Sequence, residues 1–139
     1  MSWDATKTPT ITARVGISFT SDKNASANLA SEIPKFTFDA VRKANHAAWN
    51  KYLNKIQISG GTVAQQEQFY TALYHALLHP NVFSDVNGEY LGFDGKVHKA
   101  AKGHAQYANY SGWDIYRSQV QLAAVVAPQE ASDWDLSAE

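Results

Sequence analysis

Pro34, the pair Gly60-Gly61, Pro80 and Pro128 cut this chain into segments, and most of the segments between them carry the spacing of a helix. Ser21-Asp22 can cap a short helix carrying Ala25, Leu29 and Ile33, which Pro34 stops. From Phe38 to Asn54, Val41, Ala48, Trp49, Tyr52 and Leu53 share one helical face. Thr62 followed by Gln65 has the spacing of a capping box, opening a helix through Leu78 with Phe69, Leu73, Ala76 and Leu77 on its face. Ser111 and Asp114 have the same spacing, which predicts a helix from Gly112 or Trp113 to Ala127, ended by Pro128 or followed there by another. The chain is expected to be mainly α.

The β content is small. Ile11, Ala13, Val15, Ile17 and Phe19 alternate with polar or small residues, the period of a strand with one buried face. Its only candidate partners are a short Ile56-Gln57-Ile58 strand and one hairpin. In that hairpin Tyr90 to Phe93 and Lys96 to His98 flank the turn pair Asp94-Gly95. A strand with open edges and a last segment from Ala131 that begins like a helix and stops make the chain read as an excerpt.

Composition excludes several roles. A formal net charge of -1 provides no basic field for a polyanion, so no nucleic-acid partner is expected. No cysteine is present, which removes disulfides and thiolate metal sites. Met1 to Asp4 is polar and unlike a leader, and no apolar run reaches membrane-spanning length, so we expect no membrane segment.

His75 and His79 have the spacing of a zinc pair, but Ala76 stands where a zincin needs its Glu, and no third ligand is evident; packing in an aromatic core explains both. Asp85 to Glu89 departs from a calcium loop, because Lys96 occupies the place of the bidentate Glu; an Asn-Gly turn fits better. No serine lies in a nucleophile elbow. A glycosidase needs two carboxyl groups about 5 to 9.5 Å apart. Asp85, Glu89, Asp94 and Asp114 are available, and spacing alone does not pair them.

The segment Tyr107 to Arg117 places three Tyr, a Trp, an Asp and an Arg at the mouth of a helix. Sugars are bound by aromatic faces together with charged groups for their hydroxyls, and this segment has both. An aromatic core with an Arg-Asp ion pair explains the same residues equally well.

The motifs of the chain resemble glycoside hydrolase family 92. Those that carry the resemblance are Phe69 to Asn81, Phe83-Ser84-Asp85-Val86, Gly92 to His98 and Ser111-Gly112-Trp113-Asp114-Ile115-Tyr116-Arg117-Ser118, with Ala13 to Phe19 and Glu32-Ile33-Pro34 upstream. The tail from Trp134 to Glu139 departs from the family. The resemblance implies a calcium-dependent, inverting exo-α-mannosidase of the α-1,2 type, acting on mannose-containing glycans in N-glycan degradation, secreted or periplasmic in a bacterium. It also implies a fragment: residues 1–20 as the last strand of an N-terminal β-sandwich, 21–55 as a helical connector, and 56–139 as the start of an (α/α)6 catalytic domain. On the family pattern the general-acid Glu, the general-base Asp and most Ca2+ ligands fall downstream of Glu139, so the chain alone is expected to be inactive and to need the remainder of the catalytic domain as its partner. Trp113 is expected to wall a mannose pocket and Asp114 to accept sugar hydroxyls, with Arg117 and Asp85 orienting that shell. A non-catalytic carbohydrate-binding or interaction module is the alternative.

Overall fold

The computed structural model describes residues 2–4, 6–35 and 37–138. Ser21 opens α1 (Asp22–Glu32), its side chain accepting from the Asn24 N–H. Thr37 caps α2 (Phe38–Leu53) in the same way through Ala40. Thr62 and Gln65 form the complete capping box at the head of α3 (Val63–Ala76). Each side-chain oxygen satisfies a backbone donor that a first helical turn leaves open. Thr62→Ala is therefore expected to cost about 1 kcal/mol, read as a lower urea midpoint with an unchanged slope.

Four short strands follow. β1 (Asn81–Val82) pairs antiparallel with β4 (Tyr107–Ala108), in register Asn81 with Ala108 and Val82 with Tyr107. Between them β2 (Glu89–Leu91) and β3 (Val97–Lys99) form the hairpin that Asp94-Gly95 predicts, with Gly95 at φ +74°. Only glycine reaches that conformation without a Cβ penalty. The Asn-Gly turn is also present: the Gly88 N–H donates to Asp85 O at 2.8 Å, with Gly88 at φ +84°.

The C-terminal third holds α4 (Gly112–Ile115), α5 (Gln119–Val126) and α6 (Pro128–Ala138). Pro128 takes the first position of α6, where its missing N–H costs nothing. α5 packs on α6, α2 packs on α3, and the buried apolar residues are Leu73, Ala123, Val126, Ala127 and Trp134. Among the described residues no helix is long and apolar enough to cross a membrane.

Three expectations change. Residues 11–18 form no strand: Ile11, Val15, Ile17 and Phe19 are exposed, because no sheet edge among the described residues receives them. The segment is instead laid along α1. A Cβ on Gly16 would come within 2.2 Å of Ala25 O, and Asn28 Nδ2 donates to Ile17 O at 2.8 Å. Residues 56–58 also lack a strand; the Tyr70 hydroxyl donates to Ile56 O and accepts from the Ile58 N–H. The helix expected from 112 to 127 is broken at 116–118, where Ser118 takes φ -158°. Past that break, Gln119 Nε2 donates to Ala76 O at 2.8 Å, a carbonyl left open at the end of α3, and to His79 O at 2.5 Å just beyond it.

Candidate sugar-binding wall and its support

The loop carrying Trp113 is fixed at three points. The β1–β4 pairing holds its start, and Asn109 turns the chain at φ +67° while its side-chain amide donates to Asn81 Oδ1 at 2.9 Å. Asn tolerates this left-handed backbone better than most residues. The Tyr110 hydroxyl then donates to Trp134 O at 3.0 Å, tying the loop to α6. Beyond that anchor the chain turns into α4 at Ser111.

Ser111 does not cap α4 with its side chain. Its hydroxyl donates to Asp114 Oδ2 at 2.6 Å, while Ser111 O accepts from the Asp114 and Ile115 N–H groups. Asp114 is thus oriented by Ser111 through one oxygen, and its Oδ1 carries no hydrogen bond among the described residues. Within this chain Trp113 is 77% exposed. The Arg117 guanidinium lies 5.9 Å from the Tyr116 ring centroid, and the ion pairs among the described residues involve only histidines. Tyr107 packs edge to face on the buried Trp134, as an aromatic core would have it, while no Arg117–Asp114 ion pair forms among the described residues.

Asp85 shares no hydrogen bond with Trp113, Asp114 or Arg117 among the described residues. Its side chain is 6% exposed and accepts from four groups: Ser18 Oγ (2.8 Å), Thr20 Oγ1 (2.5 Å) and Asn24 Nδ2 (2.9 Å) on Oδ2, and Asn28 Nδ2 (2.7 Å) on Oδ1. Burial alone would raise its pKa, but the hydrogen bonds from Thr20, Asn28, Ser18 and Asn24 outweigh it and hold the carboxyl below the ordinary 3.8. Asn24 also donates to Glu89 Oε2 at 2.7 Å, and Asn28 Oδ1 accepts from the Val86 N–H. One buried carboxylate therefore clasps the N-terminal segment and α1 to the 83–89 loop, where Phe19 stacks on Phe83 at 4.6 Å.

The reading of α1 from its apolar residues passed over Asn24 and Asn28. Their four-residue spacing puts two amides on one helical face, which was the available signal. It also passed over the His104–Asp133 pair at 2.6 Å, which residues 29 positions apart make only through folding. The zinc alternative loses its geometry, because α3 ends at Ala76 and leaves His79 outside the helix. Among the described residues no group of three or more His, Cys, Asp or Glu could hold a metal ion.

Known proteins share this fold over most of the chain. A family model, the glycosyl hydrolase family 92 catalytic domain, matches residues 24–138. A family GH92 α-mannosidase from Bacteroides thetaiotaomicron superposes with a TM-score of 0.79 at 33% identity, covering 86% of this chain and 16% of that one. The GH92 family glycosyl hydrolase ccman5 does so with a TM-score of 0.76 at 31% identity, covering 83% and 15%. An uncharacterized secreted glycosidase of Arthroderma benhamiae is 32% identical over 81 residues, which is 55% of this chain and 10% of that protein. The chain thus spans about a sixth of the solved enzymes it resembles and a tenth of the secreted glycosidase. With a catalytic-domain match from α1 to the end of α6 and folds superposing over most of its length, the chain belongs to glycosyl hydrolase family 92.

Proposed function

We propose that this chain forms part of a calcium-dependent, inverting exo-α-mannosidase of the α-1,2 type, exported like its secreted relative, and that it supplies one wall of the mannose pocket. The observation that carries the reading is Trp113, 77% exposed beside an Asp114 with one oxygen held by Ser111 and the other open. An exposed indole covers the C–H face of a pyranose, and a carboxylate at its rim accepts two adjacent hydroxyls. Arg117 borders the same turn as a donor, and Asp85 acts at one remove by holding the 83–89 loop in place.

Inversion requires a protonated carboxyl at the leaving oxygen and a carboxylate that activates water on the opposite face of the ring. In this proposal neither group, nor most of the calcium ligands, comes from residues 1–139; calcium when bound would hold mannose hydroxyls. Incubation of α-1,2-mannobiose with the 139-residue chain is expected to release no mannose. The longer polypeptide containing it is expected to release β-mannose first, as seen by proton NMR, and to stop on chelation. Release by the chain alone, or α-mannose as the first product, would overturn the respective part of the proposal.

A further inference from the structure

A second cavity lies away from Trp113. It encloses about 390 Å³ between α2, the β1–β4 pair and α6, and its lining includes none of Trp113, Asp114 and Arg117. That volume lies within the range of small-ligand sites. Four of its walls are aromatic: Trp49, Tyr52, Tyr107 and Trp134. Tyr107 and Trp134 meet edge to face, with centroids 6.2 Å apart and planes at 69°.

The polar groups in this aromatic box are few and mostly unspent. Trp134 is 6% exposed, and its indole Nε1–H is buried with no hydrogen-bond partner among the described residues. Buried donors are normally paired, so an orphan one calls for an acceptor. The Tyr107 hydroxyl makes no hydrogen bond among the described residues either; the one side-chain partner of this residue, Ser137 Oγ, takes its backbone N–H. Burial, with the charges of Glu130 and Asp133, pushes that phenol up to about 12, so it keeps its proton at neutral pH. Glu130 receives the Tyr52 hydroxyl on Oε1, which leaves Oε2 without a hydrogen bond among the described residues.

The cavity therefore offers two donors and one anionic acceptor inside apolar walls. Glu130, with no Lys, Arg or His in the lining, disfavours an anion. A purely apolar ligand would leave the indole N–H unpaired. We propose that this cavity is a second binding site for a neutral hexopyranose unit, with a ring oxygen or hydroxyl accepting from Trp134 and Tyr107 and a hydroxyl donating to Glu130. The proposal rests on the sugar-handling reading for its choice of probe and on none of the residues of the Trp113 wall.

The test is a titration of the full chain, labelled with nitrogen-15, with methyl α-D-mannopyranoside up to about 100 mM, a hundredfold above the Kd of a ~1 mM site. The four indole signals are assigned by Trp-to-Phe substitutions. The Trp134 indole N–H is expected to move downfield and saturate, and Glu130→Gln and Tyr107→Phe are each expected to weaken that saturation about tenfold. Asp114→Ala should leave the Trp134 curve unchanged. A Trp134 signal that stays fixed across the titration overturns the cavity proposal, whatever Trp113 does. Movement of Trp134 with a static Trp113 supports the cavity and overturns the wall instead. If a cavity variant fails to fold, the wild-type Trp134 curve still decides.

Discussion

Asp85→Ala is expected to destabilise the chain by on the order of 3 kcal/mol, seen as a fall in melting temperature of roughly 10 °C. The carboxylate is the shared acceptor of Ser18, Thr20, Asn24 and Asn28, and its removal leaves two buried amides without it. The cost is set by those stranded donors more than by the bonds lost, since a buried unpaired amide forfeits its hydration as well. The same clasp has a pH signature. Because the pKa of Asp85 is lowered on folding, its contribution is complete above the ordinary value of 3.8 and fades as pH falls through the lower folded value. The wild-type chain should therefore lose stability in acid more steeply than Asp85→Asn, which keeps the shape and cannot titrate. Superimposable acid limbs for the two proteins would show that Asp85 is not the group that holds α1.

Asp114→Ala is expected to weaken binding of methyl α-D-mannopyranoside at Trp113 by about 100-fold, while leaving the melting temperature within a degree or two. Two charge-assisted hydrogen bonds to sugar hydroxyls account for that factor, at about 1.4 kcal/mol for each tenfold. The small effect on stability follows from exposure: Asp114 is exposed and, among the described residues, bonded through its side chain only to Ser111. Asp94→Ala provides the control, since that carboxylate is exposed on the hairpin and faces His98 at 3.0 Å. An Asp114→Ala protein that binds the sugar as tightly as wild type would remove Asp114 from the wall.

Local chemistry made much of the fold legible in advance. The caps at Ser21 and Thr62, the breaks at Pro34 and Gly60-Gly61, and the Asp94-Gly95 hairpin depend on neighbours within a few residues, and each forms as its spacing predicts. Ser111-Asp114 shows the limit of such spacing. The same two residue types meet, but the hydroxyl donates to the carboxylate and leaves the helix uncapped.

What failed were inferences that needed a distant partner. The alternation from Ile11 to Phe19 describes a face to bury but names no strand to pair with, and Gly16 and Asn28 lay the segment on α1 instead. The break at Ser118 lets Gln119 reach the carbonyls of Ala76 and His79, 43 and 40 positions back, so a periodic pattern running past it was misleading.

The segment from Ser111 to Ser118 divides in the same way. The run Ser111 to Ser118, its aromatic and acidic content and the family it belongs to were determined by the sequence alone, because motif order survives without coordinates. The exposure of Trp113, the absence of an Arg117–Asp114 ion pair among the described residues and the four donors that meet Asp85 came only from the tertiary structure. Burial and hydrogen-bond partnership are properties of segments brought together from up to 67 residues apart, as Ser18 and Asp85 are, and no local window contains them.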